Sequence, residues 1–222
     1  MSSFFANLRD YLDTYGQETL QQLGWHIVLS LVPVVLGLVL ALPIGYLAFR
    51  KRWTYPPLVS IAGLLYTVPS LALFVLMPGI LGTGILDPIN VVIALTIYTV
   101  ALLVRVVADG LNSVPLDVRQ SALAMGLNGV QRVTRVELPV AVPVIAAGLR
   151  VAVVSNVSMV SVAALIGVPQ LGQLFTTGFQ LQNTAPIVLG IVACLVLALI
   201  FDALIVLATR ILTPWRSAGR SS

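Results

Sequence analysis

The stretch GWHIVLSLVPVVLGLVLALPIGYLAF, residues 24–49, is followed directly by Arg50, Lys51 and Arg52. It contains no Asp, Glu, Lys or Arg. A helix needs about 20 mostly apolar residues to cross the hydrocarbon core of a bilayer. The sequence therefore predicts a transmembrane helix that ends at a basic boundary.

The composition of the whole chain agrees with a membrane environment. Of its 222 residues, 59% are hydrophobic and only 9% are charged, whereas a soluble domain carries roughly 25% charged residues. The net charge of +4 is not a nucleic-acid signal, because the basic residues lie at the ends of apolar runs, where they report topology.

Four further stretches are long and apolar enough to span a bilayer. They are residues 57–77, 88–107, 140–166 and 186–209. The fourth span in chain order is long, so we expect it to be tilted or broken near residues 155–161. The fold class predicted from the sequence is an all-α integral membrane protein with five transmembrane helices.

The basic residues orient these five spans. They follow the first span, lie between the third and fourth, and follow the fifth, at Arg50, Lys51, Arg52, Arg105, Arg119, Arg132, Arg135, Arg210, Arg216 and Arg220. With five spans, all three regions fall on one side of the membrane, and Arg9 is the only basic residue on the other side. The positive-inside rule places the N-terminus outside and the C-terminus in the cytoplasm.

The two ends of the chain flank this transmembrane region, predicted at residues 23–210. Residues 1–22 carry apolar side chains at helical spacing, namely Phe4, Leu8, Tyr11, Leu12 and Tyr15. They fit an amphipathic helix on the outer surface, and the alternative is a disordered leader. Residues 211–222 are expected to form a cytoplasmic tail.

The loop between the third and fourth spans is the one long cytoplasmic loop of this topology. Its sequence, residues 111–139, is LNSVPLDVRQSALAMGLNGVQRVTRVELP, and we call it the knob. Ser113 is a candidate N-cap ahead of a first helix, and Gly126 can end that helix in the left-handed conformation. Asn128 with Gln131 can cap a second short helix. The knob is thus predicted to be two short helices joined by a sharp turn.

Two functions fit such a knob. Ser121, Ala122 and Ala124 are small enough for a partner to approach closely, and Leu123, Met125 and Leu127 offer apolar contact. The knob could therefore dock a cytoplasmic partner and pass a displacement to the third and fourth spans. The alternative is an amphipathic loop that lies on the membrane.

The knob resembles the EAA loop of the permease subunits of ABC importers. The matching residues are Gln120, Ser121, Ala122, Leu123, Gly126, Leu138 and Pro139. Gln120 and Ser121 depart from the Glu and the first Ala of that pattern. The resemblance implies a type I ABC importer permease fold in which these residues form the ATPase-coupling loop.

A second stretch narrows the resemblance to one substrate branch of these permeases. Residues 66–73, YTVPSLAL, are similar to the T-x-P-S-L-A-L stretch of osmoprotectant permeases, and the similarity extends over residues 22–210. It implies import of glycine betaine, choline, carnitine or proline betaine. It also implies a second permease copy or homologue, two ATPase subunits that bind the ATP, and an extracytoplasmic solute-binding protein. The permease itself is expected in the cell (cytoplasmic or inner) membrane as a multi-pass protein. This chain itself is expected to carry no cofactor and no ATPase site.

Other classes of membrane transport protein remain as alternatives. An ABC permease for methionine or another amino acid shares the loop, and only the Pro69-Ser70-Leu71 region argues against it. A secondary transporter or a channel explains the spans but not the loop, and no internal repeat of the secondary-transporter kind is visible. The single His26 and the single Cys194 lie in apolar runs and lack metal-ligand spacing.

Two charged residues lie deep inside predicted spans, away from their ends. Arg150 in the fourth span and Asp202 in the fifth are each about 12–15 Å from the cytoplasmic ends of their helices, at about 1.5 Å per residue. Charges at such depth are costly unless they are paired or reach water. Either Arg150 and Asp202 form an intramembrane ion pair, or Arg150 extends to the interface and Asp202 faces a water-filled cavity.

Overall fold

The computed structural model of the chain describes residues 2–215, with side chains from residue 6 onwards. Within these residues the regular structure is helical. The α-helices are α1 (Ser2–Arg50), α2 (Tyr55–Thr67), α3 (Ser70–Leu81), α4 (Pro88–Asn112), α5 (Leu116–Ala124), α6 (Gly129–Arg132), α7 (Leu138–Val162), α8 (Gln173–Gln180) and α9 (Thr184–Leu212). A π-helical turn, Val133–Glu137, joins α6 to α7. The predicted tail beyond residue 215, with Arg216 and Arg220, lies outside the described residues.

The spans predicted from apolar runs correspond to these helices. Four helical stretches among the described residues are long and apolar enough to cross a membrane, and they correspond to α1, α4, α7 and α9. The pair formed by α2 and α3 makes a fifth span if it is counted as one. The predicted all-α membrane architecture is confirmed.

The second span differs from the prediction of one continuous helix over residues 57–77. It is interrupted at Val68 and Pro69, and Pro69 has the extended conformation (φ −61°, ψ 131°). Proline disfavours helical geometry at the residue before it and has no N–H to donate. The Val68-Pro69 step therefore ends α2, and α3 starts again at Ser70.

The fourth span has no break in the region where the sequence allows one. We expected a tilt or a break near residues 155–161, but α7 runs unbroken through this region to Val162. The small polar residues there do not interrupt it. Ser161, for example, turns its hydroxyl back towards the carbonyl oxygen of Val157, 3.5 Å away, which is compatible with a helix.

The N-terminal segment is the beginning of α1 rather than a separate helix, because α1 is continuous from Ser2 to Arg50. Tyr11 is buried against Leu171 and Leu174, while Leu12 and Tyr15 are exposed. The side chain of Phe4 lies outside the described residues. The outer-surface location of this segment stays a prediction.

The chain divides into two compact units. The first draws its described residues from Met1–Leu36, Val68–Ile97 and Val153–Phe201. Its interior is partly polar. His26 is fully buried, with Nδ1 3.2 Å from Oε1 of Gln170 and Nε2 3.1 Å from the carbonyl oxygen of Val157. The lone histidine is therefore a packed core residue, and it ties α1 to α7 and to the segment before α8.

The second unit draws on Gly37–Thr67, Tyr98–Ala152 and the described part of Asp202–Ser222. Its core is apolar, with Val107, Leu111, Ala141 and Ile145 buried together. Close approach of backbones holds its helices together. A Cβ atom added at Gly45 would lie 2.7 Å from the side chain of Val107, so α1 packs on α4 only because this position lacks a side chain.

Candidate functional site

The knob lies wholly in the second unit and contains the two predicted short helices, α5 and α6. The first predicted cap is wrong. Ser113 does not cap α5, because its hydroxyl donates to the carbonyl oxygen of Gly110 at 2.7 Å. The residue that precedes α5 is Pro115, which has no side-chain cap. Asp117 stands in the first turn, where a negative charge stabilises a helix start.

The turn after α5 forms at Gly126, as the sequence predicts. Gly126 has φ +74°, the left-handed conformation that glycine adopts without a steric penalty. The N–H of Leu127 donates to the carbonyl oxygen of Ala122 at 3.2 Å, and the N–H of Gly126 donates to that of Leu123 at 2.9 Å. These bonds satisfy carbonyl groups at the end of α5 and reverse the chain direction.

The second helix begins with the predicted cap. The Oδ1 atom of Asn128 accepts from the backbone N–H of Gln131 at 2.9 Å, and the side chain of Gln131 accepts from the N–H of Asn128 at 3.1 Å. This is a complete capping box. The turn after α5 and the start of α6 are therefore set by the knob's own sequence.

The residues predicted for partner contact differ in how exposed they are. Gln120, Ser121, Leu123 and Gly126 are exposed, whereas Ala122 is fully buried and Leu138 and Pro139 are half-buried. The small side chain of Ala122 packs inward in the chain on its own, and its assignment to the ATPase-coupling loop stays a prediction. The exposed apolar surface of the knob comes from Leu123, Met125 and Val130, which are 55%, 69% and 74% exposed.

Glu137 is a residue of the knob to which the sequence assigns no function. The carboxylate of Glu137 is fully buried and accepts from Nε of Arg132 at 2.9 Å. Its sequence signal is a single acidic residue between Arg132, Arg135 and an apolar run. A buried acid is stable only when it is paired, so this position predicts a partner among the neighbouring arginines.

The two charged residues inside the spans lie together. Nε of Arg150 on α7 is 2.5 Å from Oδ1 of Asp202 on α9, and Nη2 is 2.8 Å from Oδ2. These distances describe a bidentate pair, the geometry that the planar guanidinium group favours. The side chains are 45% and 27% exposed, so the pair reaches the protein surface rather than the centre of the unit.

The fold and the knob define a class of protein. Several apolar helices, with a compact exposed loop between two of them, are the architecture of a multi-pass membrane protein. Residues 33–215 match the family of binding-protein-dependent transport system inner membrane components. This chain belongs to that family.

Individual relatives are similar over nearly their whole length. The chain is 30% identical to the glycine betaine/carnitine/choline transport system permease protein OpuCB of Bacillus subtilis, over 92% of this chain and 93% of the relative. It is 34% identical to the osmoprotectant import permease protein OsmW of Salmonella typhimurium, over 85% of this chain and 89% of the relative.

A solved structure confirms the permease fold. Inward-facing MetNI, a methionine ABC transporter, superposes with a TM-score of 0.81 over 90% of this chain and 98% of that chain. The sequence identity is 20%, so the likeness concerns the fold alone.

Proposed function

We propose that this chain is the permease subunit of an ATP-driven importer for osmoprotectants that carry a quaternary ammonium group, such as glycine betaine, choline or carnitine. The supporting observation is the near full-length similarity to permeases named for these solutes. The YTVPSLAL stretch at residues 66–73 supports the same branch. The methionine transporter shares the fold but provides no argument for methionine as the solute.

The knob is the proposed docking site for the ATPase. Its exposed side chains Leu123 and Met125 form an apolar surface, and the buried core of a protein–protein interface is more apolar than the rest of a protein surface. The sequence shows no Gly-x-x-x-x-Gly-Lys-Ser/Thr motif, which a nucleotide-binding subunit would need. ATP hydrolysis is therefore assigned to the partner.

The proposed assembly contains two permease copies, or this chain and a homologue, together with two ATPase subunits and a solute-binding protein. Closed two-fold assemblies are the commonest solution for such subunits. A native mass measurement with a single permease for each ATPase pair would contradict this stoichiometry.

Solute uptake by whole cells tests the function. The gene for this chain is deleted and then restored, and uptake of labelled glycine betaine, choline, carnitine and methionine is measured. We expect uptake of at least one trimethylammonium solute to fall at least tenfold on deletion and to return on restoration, with methionine unchanged. Loss of methionine uptake alone would assign the chain to the amino-acid branch, and no loss of any kind would contradict the importer function.

A further inference from the structure

Three charged side chains of the knob form a cluster. Glu137, at the end of the π-helical turn, is fully buried, and its Oε1 atom lies 2.9 Å from Nε of Arg132 and 3.9 Å from Nε of Arg119. Arg119 is on α5 and Arg132 is on α6. The carboxylate that precedes α7 thus faces one arginine from each of the two knob helices.

Arg119 also reaches the ends of two spans. Its Nη2 atom donates to the carbonyl oxygen of Leu111 at 2.5 Å, in the last turn of α4. Its Cζ atom lies 4.8 Å from the ring centroid of Phe49, in the last turn of α1, within the range of a cation–π contact. One side chain therefore connects the knob to α1 and α4, and Glu137 connects it to α7.

The cluster is not fully bonded in this conformation. Nε of Arg119 and Oε2 of Glu137 are both buried and have no hydrogen-bond partner among the described residues. The 3.9 Å separation of Arg119 Nε and Glu137 Oε1 exceeds hydrogen-bond length by about 1 Å. Such orphaned groups are rare, because a buried charge or donor without a partner is costly. A small displacement of α5 towards α7 would complete the bond.

We propose that Arg119 and Glu137 are positioning residues that couple the knob to the membrane helices. A displacement of α5 by the ATPase brings Arg119 onto Glu137, within the knob, and moves the ends of α1, α4 and α7 together. The proposal rests on the proposed function, because it needs the knob to be the ATPase-docking site. It adds the contacts through which a movement of α5 reaches the ends of α1, α4 and α7.

The test measures solute transported per ATP hydrolysed, in vesicles that contain the complete importer. The variants are Arg119→Gln, Glu137→Gln and the double variant, with Arg9→Gln as the control, because the Arg9–Asp13 pair is exposed and far from the knob in sequence. We expect each single variant to retain the ATPase and its basal turnover but to lose at least fivefold in transport per ATP. The double variant should be no worse than the poorer single variant, because both changes remove one connection.

Unchanged transport per ATP in both single variants would overturn the proposal, and so would losses that multiply in the double variant. If the Glu137 variant does not accumulate, Phe49→Leu removes the contact of Arg119 with α1 and leaves the ion cluster in place. This variant should also lower transport per ATP, and an unchanged ratio would again overturn the proposal. Failure of the unaltered permease to retain an ATPase would instead contradict the proposed function, so the two failures are distinguishable.

Discussion

Arg150 and Asp202 are 52 residues apart and form a bidentate pair on the surface of the second unit. Each group lies in an apolar helix, α7 or α9. A charged group in hydrocarbon is costly when it is alone, and pairing or contact with water relieves the cost. The partial exposure of the pair places it where lipid, water or a second permease copy can reach it.

Charge exchange tests whether this pair matters for assembly. Arg150→Asp and Asp202→Arg should each lower the amount of permease recovered with its ATPase, because two like charges then face each other within an apolar region. The combined exchange should recover at least half of the loss. The measurement is the yield of intact complex in mild detergent.

A combined exchange no better than the poorer single change would show that the pair does not stabilise the complex. Replacement of the exposed Asp13 by Asn is the matched control, since it removes a carboxylate whose ion pair with Arg9 is mostly exposed. Surface pairs of that kind contribute little, so this variant should give the unaltered yield.

At the scale of single elements, the turn of the knob depends on Gly126. Valine at φ +74° is strained, because a β-branched side chain rarely adopts this region. We expect Gly126→Val to reshape the knob and to lower recovery of the ATPase at least tenfold, while the permease still inserts into the membrane. Copurification of the ATPase with the tagged permease provides the measurement.

Gly82 offers a matched control for this substitution. It also has a positive φ, +70°, and an added Cβ atom would meet nothing within 4 Å, as at Gly126. Gly82→Val therefore imposes the same kind of backbone strain at the end of α3, away from the knob in sequence. Equal loss of the ATPase in the two variants would show that strain alone is responsible, and would remove the argument for docking at the knob.

The sequence predicted those features of the elements that depend on local chemistry. Gly126 and the pair Asn128 and Gln131 act on neighbouring backbone groups, so their positions in the chain were sufficient. The interruption at Pro69 was also local but was obscured by the apolar residues on both sides, which continue the hydrophobic run across the break.

Features that depend on tertiary packing could not be predicted in the same way. The burial of Ala122 is decided by which face of α5 packs inward, and a nine-residue helix of mixed polarity does not show this. The short helix α8 was missed because its sequence, QLFTTGFQ, is too short for a span. The Arg119–Glu137 cluster requires three helix ends to meet, which no spacing rule reports.

At the scale of the whole molecule, the predicted orientation puts the N-terminus outside and the knob in the cytoplasm. Its basis is the distribution of arginine and lysine, since cytoplasmic loops retain an excess of positive charge. Thr14 on α1 and Ser121 in the knob are both exposed, and the sequence has a single cysteine, Cys194. A Cys194→Ala background therefore allows one cysteine at a time to be placed and labelled.

Labelling with a membrane-impermeant maleimide tests the orientation. Thr14→Cys should react in intact cells and Ser121→Cys only in inside-out vesicles, with at least a fivefold difference in each direction. The Cys194→Ala parent should show no labelling in either preparation. Reaction of Ser121→Cys in intact cells would reverse the orientation.

The separation of the Arg119–Glu137 cluster from the exposed apolar side chains of the knob has an evolutionary consequence. Leu123, Met125 and Val130 take no part in the ion cluster, so substitutions there leave the anchoring of α1, α4 and α7 intact. Changes at Phe49, Arg119 or Glu137, by contrast, are expected to lower transport per ATP. With the knob as the proposed docking site, recognition of a particular ATPase can therefore diverge between lineages while the membrane-spanning helices remain under a separate constraint.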